Sequence, residues 1–286
     1  MTIKEAGRKC LDGLLGLYPK GEAEAITEIV LEYISKKKRN EIWLFATTQL
    51  SQNDELLFDS VLERLRHFEP VQYIINEAWF YAMPFYVDKH VLIPRPETEE
   101  LVHWIIADRA KKEESPKILD IGSGSGCIPI SLKKKLPFAE VWSCDISKEA
   151  LKIAKRNATA NQTEVNFLEL DILDHKAWDK LPVFDIIVSN PPYVPESDKK
   201  KMQPNVLNFE PHLALFVSDR NPLTFYKAIA DFALIHLSPN GCVYLEIHEY
   251  LGKEVTTLLM KQGFIIEVKQ DMQQKDRMLR CEKKGV

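Results

Sequence analysis

The chain has 286 residues, 45% hydrophobic and 28% charged, with a formal net charge of -4; that length predicts about two domains and the composition excludes a disordered or low-complexity polymer. No run approaches the ~18 apolar residues of a membrane helix, and Lys4, Glu5, Arg8 and Lys9 put charge where a signal peptide has its apolar region, so neither a spanning nor an exported protein is expected. Five scattered cysteines (Cys10, Cys127, Cys144, Cys242, Cys281) without a C-x-x-C pair read as free thiols of a cytoplasmic protein, and the acidic balance gives no support for a large nucleic-acid footprint.

Residues 1–75 carry helical signals and no convincing strand. Between Glu22 and Asn40, the residues Ile26, Ile29, Val30, Tyr33 and Ile34 recur at i, i+3, i+4, i+7 and i+8, the buried face of an amphipathic helix. It runs into Lys36-Lys37-Lys38-Arg39, read as a solvated last turn complementing the helix dipole. A further helix is expected over 54–68 with Leu56, Leu57, Val61 and Leu65 inward. A small helical bundle follows from these patterns.

Between residues 76 and 96 the pattern turns aromatic and strand-like. Trp79, Phe80, Tyr81, Phe85 and Tyr86 lie in two short segments separated by Met83-Pro84, which predicts a hairpin linker, with Phe80 and Tyr81 packing between domains. Then Pro96 at a first helical position, followed by Glu97, Glu99 and Glu100, marks a helix start. Arg95, held between Pro94 and Pro96, is a candidate for supporting an active-site loop or touching a partner.

From residue 97 to 286 strands and helices alternate. Strands are expected at 117–121, 140–145, 165–171, 184–189, 242–247, 264–270 and 278–283. Helices are expected at 127–135, 147–160, 222–237 and 255–261. Such alternation implies an α/β domain with a doubly wound, mostly parallel sheet and right-handed crossovers.

At its first strand-to-helix turn stands Asp120-Ile121-Gly122-Ser123-Gly124-Ser125-Gly126. Glycines here let the backbone turn sharply and approach a ligand, but the dinucleotide fingerprint G-x-G-x-x-G would need glycine where Cys127 stands. Asp145, 25 residues after Asp120, ends the next strand, where a carboxylate can accept from vicinal ribose hydroxyls. Asp171 ends the third strand, near where an adenine ring would lie. A glycine turn with capping aspartates would explain the loop alone, but not acids ordered along successive strand ends. Together they read as a nucleoside cofactor site that suits S-adenosyl-L-methionine better than NAD, because no pyrophosphate must be cradled. In that reading Asp120 helps orient the cofactor's ammonium, directly or through water.

The fourth strand runs into Asn190-Pro191-Pro192-Tyr193. Two prolines stiffen the backbone and remove two N–H donors. The Asn190 side-chain oxygen and the Pro191 carbonyl can then both accept from one NH2 group, aiming its nitrogen at a sulfonium methyl, while Tyr193 can stack on a planar acceptor. Such a site works by positioning and electrostatics and needs neither a histidine base nor a metal. Glu246 and His248, at a later strand end, read as structural.

N-P-P-Y after such a domain occurs in methyltransferases acting on planar nitrogens. Residues 91–99 (V-L-I-P-R-P-E-T-E), and Phe209-Glu210-Pro211 followed by Ala214-Leu215, narrow the likeness. Over nearly its whole length the sequence resembles the HemK/PrmC family of release-factor glutamine N5-methyltransferases. The resemblance implies a Rossmann-like class I methyltransferase domain with a C-terminal antiparallel strand at 97–286, a hairpin linker at 76–96 and a substrate-docking helical domain at 1–75. It implies that Gly122, Ser123, Gly124, Ser125, Gly126 and Asp145 contact the cofactor and that Asn190 to Tyr193 hold a glutamine amide. The partner implied is a class 1 peptide chain release factor, methylated in its Gly-Gly-Gln motif. Two departures stand out: Ile172 occupies a position beside the adenine where some members have tryptophan, and Asn76 replaces a usual hairpin glycine. Methylation of a nucleic-acid amino group is the rival activity. It predicts a basic recognition surface, whereas residues 1–75 hold ten Lys/Arg against twelve Asp/Glu.

Overall fold

A computed structural model describes residues 1–109 and 115–284. The chain begins with α1 (Ile3–Leu14), α2 (Lys20–Ser35), α3 (Gln52–Arg66) and α4 (Val71–Ile75). Thr2 and Glu5 form a reciprocal capping box at the start of α1. Ala6, Cys10 and Leu14 of α1 close on Ala23, Ile26, Val30 and Ile34 of α2 and on Phe58, Val61, Leu62 and Leu65 of α3. These helices and residues Gln203–Phe209 form one compact unit; Glu77–Met202 and the chain from Glu210 on form a second.

Two sequence readings need correction here. Helix α2 stops at Ser35 because Lys36 turns left-handed (φ 55°), so the basic run lies beyond the helix rather than in its last turn. Instead, Lys36 sits 4.2 Å from the Tyr33 ring centroid, Lys37 sits 4.4 Å from that of Phe45, and Arg39 pairs with Glu28. On α3 the inward stripe is Phe58, Val61, Leu62 and Leu65, leaving Leu56 and Leu57 exposed. The large Phe58 ring takes the core position, and the rotation it sets turns the two leucines outward.

The second unit opens with a hairpin of β1 (Ala78–Phe80) and β2 (Met83–Phe85). Its turn lies at Tyr81-Ala82, both at positive φ (51° and 59°), rather than at Met83-Pro84, which belong to β2. Asn76 is left-handed too (φ 56°), the conformation a glycine would otherwise supply. Phe80 and Phe85 are buried in this unit's own core, so Phe80 is not the interdomain packing residue expected from its sequence.

Then come α5 (Pro96–Arg109), β3 (Lys117–Ile121), α6 (Cys127–Lys135), β4 (Glu140–Asp145), α7 (Lys148–Ala160), β5 (Asn166–Glu169) and β6 (Phe184–Ser189). An irregular stretch carries β7 (Val194–Pro195), α8 (Pro204–Phe209) and β8 (Phe216–Val217). The chain closes with α9 (Thr224–His236), β9 (Leu237–Glu246), α10 (Gly252–Lys261), β10 (Phe264–Gln270) and β11 (Asp276–Lys283). The seven-stranded sheet has the order β10-β11-β9-β6-β3-β4-β5. Its pairings among β3, β4, β5, β6 and β9 are parallel, and β11 runs antiparallel to both of its neighbours.

Strands β3, β6 and β9 are buried almost throughout, as continuous apolar runs between two helical layers must be. Strand order reverses direction at β3, with β4 and β5 on one side and β6 and β9 on the other. Ligands of open α/β sheets bind outside the carboxyl ends of strands at such a switch point. Among the described residues no helix is long and apolar enough to cross a membrane.

Candidate active site

At that carboxyl edge a cavity of about 360 Å³ opens within the second unit, bounded by the loops after β3, β4, β5 and β6 and by residues 89–95. Its cofactor side is built largely from backbone. Gly122, Gly124 and Gly126 all take positive φ (90°, 51° and 82°) between β3 and α6. At Gly126 a Cβ would sit 2.9 Å from Ile130 Cδ1 and 3.1 Å from Ala154 Cβ, so this position needs glycine both for its dihedral and for helix packing. The buried Asn157 amide pins the loop by donating to the Ser125 and Tyr86 carbonyls, each at 2.9 Å.

Asp145 leaves β4 facing the cavity. Its Oδ2 accepts from Gly124 N at 2.9 Å and its Oδ1 from Ser147 N at 2.8 Å, so two backbone donors fix the plane of the carboxylate. Burial raises its carboxyl above the ordinary value, while the same backbone N–H groups pull it back. Asp171 and Ile172 also line the cavity; Asp171 lies beyond the end of β5, which stops at Glu169, and its Oδ1 accepts from Leu173 N at 2.8 Å. Ile146, Leu173 and Phe225 add an apolar wall. A carboxylate fixed by two backbone donors, a glycine turn open to close approach and an apolar wall fit S-adenosyl-L-methionine.

On the other side stands Asn190, directly after β6. Its Nδ2 donates to Thr98 Oγ1 at 3.1 Å, and Thr98 Oγ1 in turn donates to Glu246 Oε2 at 2.6 Å. Tyr193 Oη donates to the other carboxylate oxygen, Glu246 Oε1, at 2.9 Å. Glu246 is only 1% exposed. Burial raises its carboxyl, opposed by the Thr98 and Tyr193 hydroxyls and the charge of Arg277. Burial, with the neighbouring Glu246 carboxylate, holds the Tyr193 hydroxyl well above its usual range. Arg95 also lines the cavity, and its guanidinium donates to buried Glu210 Oε1 at 2.5 Å. Glu210 Oε2 accepts from Ile93 N at 3.2 Å, so this pair ties the loop before α5 to residue 210.

Of the residues expected from sequence, Gly122, Ser123, Gly124, Ser125, Asp145, Asp171, Ile172, Asn190, Pro191, Pro192 and Arg95 meet around this one cavity. Asp120, Gly126 and Tyr193 do not reach its wall. Asp120 is fully buried: Ser123 donates to Ser143 (2.5 Å), which donates to Asp120 Oδ2 (2.6 Å), and Oδ1 finds no hydrogen-bond partner among the described residues. Asp120, expected to help orient a cofactor ammonium directly or through water, is therefore corrected as to direct contact: it lies buried beneath the loop and does not line the cavity. Tyr193 is likewise corrected: its hydroxyl is committed to Glu246 and its ring meets the His248 ring edge-on at 5.7 Å, so it is not a stacking surface in this arrangement. Thr98 and Asn157 were missed by sequence reasoning. Thr98 sits inside a helix-start signal that already explained its surroundings, and Asn157 gives no signal on its own helix.

A doubly wound sheet with β11 inserted antiparallel, and a cavity at its carboxyl edge lined by a glycine turn, Asp145 and the Asn190-Pro191-Pro192 run, defines a class I S-adenosyl-L-methionine-dependent methyltransferase. The model of the PrmC N-terminal domain matches residues 16–75, and that of the methyltransferase small domain matches residues 104–208. The chain is 44% identical over 283 residues to the release factor glutamine methyltransferase of Flavobacterium psychrophilum, covering 98% of this chain and 99% of that protein. It is 39% identical over 267 residues to that of Bacteroides thetaiotaomicron, covering 93% and 95%. A methyltransferase structure from Pyrococcus furiosus shares the fold at a TM-score of 0.52 and 18% identity, over 72% of this chain and 91% of that one. The chain belongs to the release factor glutamine methyltransferase family.

Proposed function

We propose that this enzyme transfers a methyl group from S-adenosyl-L-methionine to the side-chain amide nitrogen (N5) of the glutamine in the Gly-Gly-Gln motif of class 1 peptide chain release factors. The observation that carries this reading is the convergence, around one cavity, of the Asp145 carboxylate and the Asn190-Pro191 acceptor pair. When bound, the cofactor supplies a sulfonium-borne methyl electrophile. Asp145 would accept from its ribose hydroxyls, the loop Gly122–Ser125 would hold its amino-acid part, and Asp171 and Ile172 would border its adenine.

An amide nitrogen is a weak nucleophile because its lone pair is delocalised into the carbonyl. The residues around it therefore act by placement. The Asn190 Oδ1 and the Pro191 carbonyl each accept one N–H of the glutamine NH2. With both hydrogens held, the nitrogen's remaining direction is fixed, and the two oxygen dipoles stabilise the positive charge that develops on nitrogen as the N–C bond forms and the S–C bond breaks; one of the two held N–H protons is then lost, giving N5-methylglutamine with S-adenosyl-L-homocysteine as the other product. Arg95, anchored by Glu210, flanks the substrate entrance. In this reading the helical domain at residues 1–75, of which 16–75 match the PrmC N-terminal domain, docks the release factor outside its Gly-Gly-Gln loop. We place the reaction in the cytoplasm, in keeping with five free cysteines.

One assay tests the reading. The protein is incubated with radiolabelled cofactor and purified release factor, the same factor with Gln changed to Asn, or nucleic acid. Label on the unaltered factor alone is the expected result. Label on nucleic acid selects an amino-group methyltransferase of that class, and label on none of the three overturns the enzymatic reading for this partner.

A further inference from the structure

An asparagine side chain can serve the proposed amide site in only one of its two orientations. With Oδ1 toward the substrate it accepts an N–H; turned over, its own NH2 meets the substrate's NH2 and two donors face each other. Something must choose. The choice is visible in how hydrogens are assigned behind Asn190.

The Glu246 carboxylate has no hydrogen to give when ionised, so both groups that reach it must donate: Thr98 Oγ1 at 2.6 Å and Tyr193 Oη at 2.9 Å. A threonine hydroxyl carries one hydrogen. Once that hydrogen is committed to Glu246, Thr98 Oγ1 can only accept, and the Asn190 group that faces it at 3.1 Å must be the NH2. Oδ1 is thereby turned away from Thr98 and is left for a ligand of the cavity that Asn190 lines. Glu246 and Thr98 are both nearly inaccessible (1% and 3% exposed), so their link is shielded from bulk solvent. The contact at 2.6 Å has the short length of a charge-assisted O–H···O⁻ bond.

We propose that Glu246, acting through Thr98, is the positioning residue that sets the polarity of the Asn190 amide. The proposal rests on the function proposed above and deepens it: Glu246 touches neither substrate nor cofactor, yet it decides which atom of Asn190 meets the glutamine NH2. Tyr193 belongs to the same device, since its hydrogen fills the second carboxylate oxygen and keeps Glu246 from turning.

Three variants test it. In Glu246→Gln the new amide NH2 can donate to Thr98, releasing the threonine hydrogen toward Asn190 and freeing the asparagine to turn over. Thr98→Val removes the link, and Thr98→Ser keeps it. Turnover on the release factor should fall roughly 10²-fold in Glu246→Gln and in Thr98→Val, the size expected for losing one preorganised polar contact. Cofactor affinity measured by calorimetry should stay within about threefold, and Thr98→Ser should restore most of the lost rate. The double variant Glu246→Gln/Thr98→Val should be no slower than either single one, because both break the same chain.

A second readout needs no turnover. The Asn190 side-chain NH2 resonances, assigned by their loss in Asn190→Asp, should show one hydrogen protected from solvent exchange in the wild type and unprotected in Thr98→Val. Unprotected hydrogens in the wild type, or full turnover in either single variant, would overturn the orientation device while leaving the methyl-transfer reading in place. A wild type that labels no release factor would instead sink that reading, and with it the substrate half of this proposal.

Discussion

The two halves of the cavity are built on different principles. The cofactor half uses backbone: three glycines in left-handed conformations, and an aspartate whose two oxygens are held by amides at Gly124 and Ser147. Every one of those groups lies between residues 122 and 147, close together in the chain. The substrate half uses side chains brought from afar. Asn190 reaches Thr98 across 92 residues, Thr98 reaches Glu246 across 148, and Arg95 reaches Glu210 across 115. Under the proposed function, local backbone geometry serves the methyl donor, which is common to many acceptors. Long-range side-chain geometry ties acceptor chemistry to the closed sheet, so that the acceptor pair exists only once α5, β6 and β9 have come together.

Removing the acceptor gives the largest effect. In Asn190→Ala the glutamine NH2 loses one of its two acceptors at the moment charge develops on nitrogen, so kcat should fall about 10³-fold. Cofactor affinity by calorimetry should stay within about threefold, because the backbone-built half is untouched. A comparable loss of affinity would show that the two halves are one structure, not two.

Asp145→Ala attacks the other half and should show the reverse split. Losing a charged acceptor for the ribose is worth about 1.5–3 kcal/mol, or roughly 10- to 100-fold in cofactor affinity. At saturating cofactor the rate should recover most of its value. Unchanged affinity in the calorimeter would remove Asp145 from the ribose site.

The same contrast explains what the sequence discloses. The strands β3, β4, β6 and β10 and the helix α6 fall at the residues their apolar runs and glycine stops predict, because each is decided by its own neighbours. Membership of the cavity is equally legible for Asp145 and Asn190, whose places at strand ends follow from topology. Orientation is not. Nothing around Thr98 in the chain announces that its hydroxyl will mediate between Asn190 and Glu246, since an N-terminal helical turn already accounts for a Pro-Glu-Thr-Glu segment. Tyr193 was assigned a stacking role from its type, whereas the buried carboxylate of Glu246, 53 residues on, claims its hydroxyl. Residues 194–217 show two-residue strands and short helical turns without periodicity, and the pairing of β7 with β8 joins dipeptides more than 20 residues apart, which neither dipeptide announces.

Beneath the cofactor loop, Asp120 offers the finest test, with the smallest expected consequence for turnover. Burial, reinforced by the Asp145 charge, pushes its carboxyl from 3.8 up to about 8, with Ser143 pulling it back. The folded chain therefore keeps a proton that the unfolded chain gives up above about pH 4. The stability tied to that proton is complete below pH 4 and is lost as pH rises through 8. Asp120→Asn carries no titrating proton and should escape this loss. Thermal unfolding followed between pH 5 and 9 should show the variant gaining on the wild type as pH rises, by up to a few kcal/mol, and levelling off above pH 8. A constant difference across that range would mean that Asp120 is ionised throughout, stabilised by a donor that reaches its free Oδ1. The floor of the cofactor half would then depend on an added polar partner as the substrate half depends on Glu246, and the division between a backbone-built side and a side-chain-built side would no longer hold.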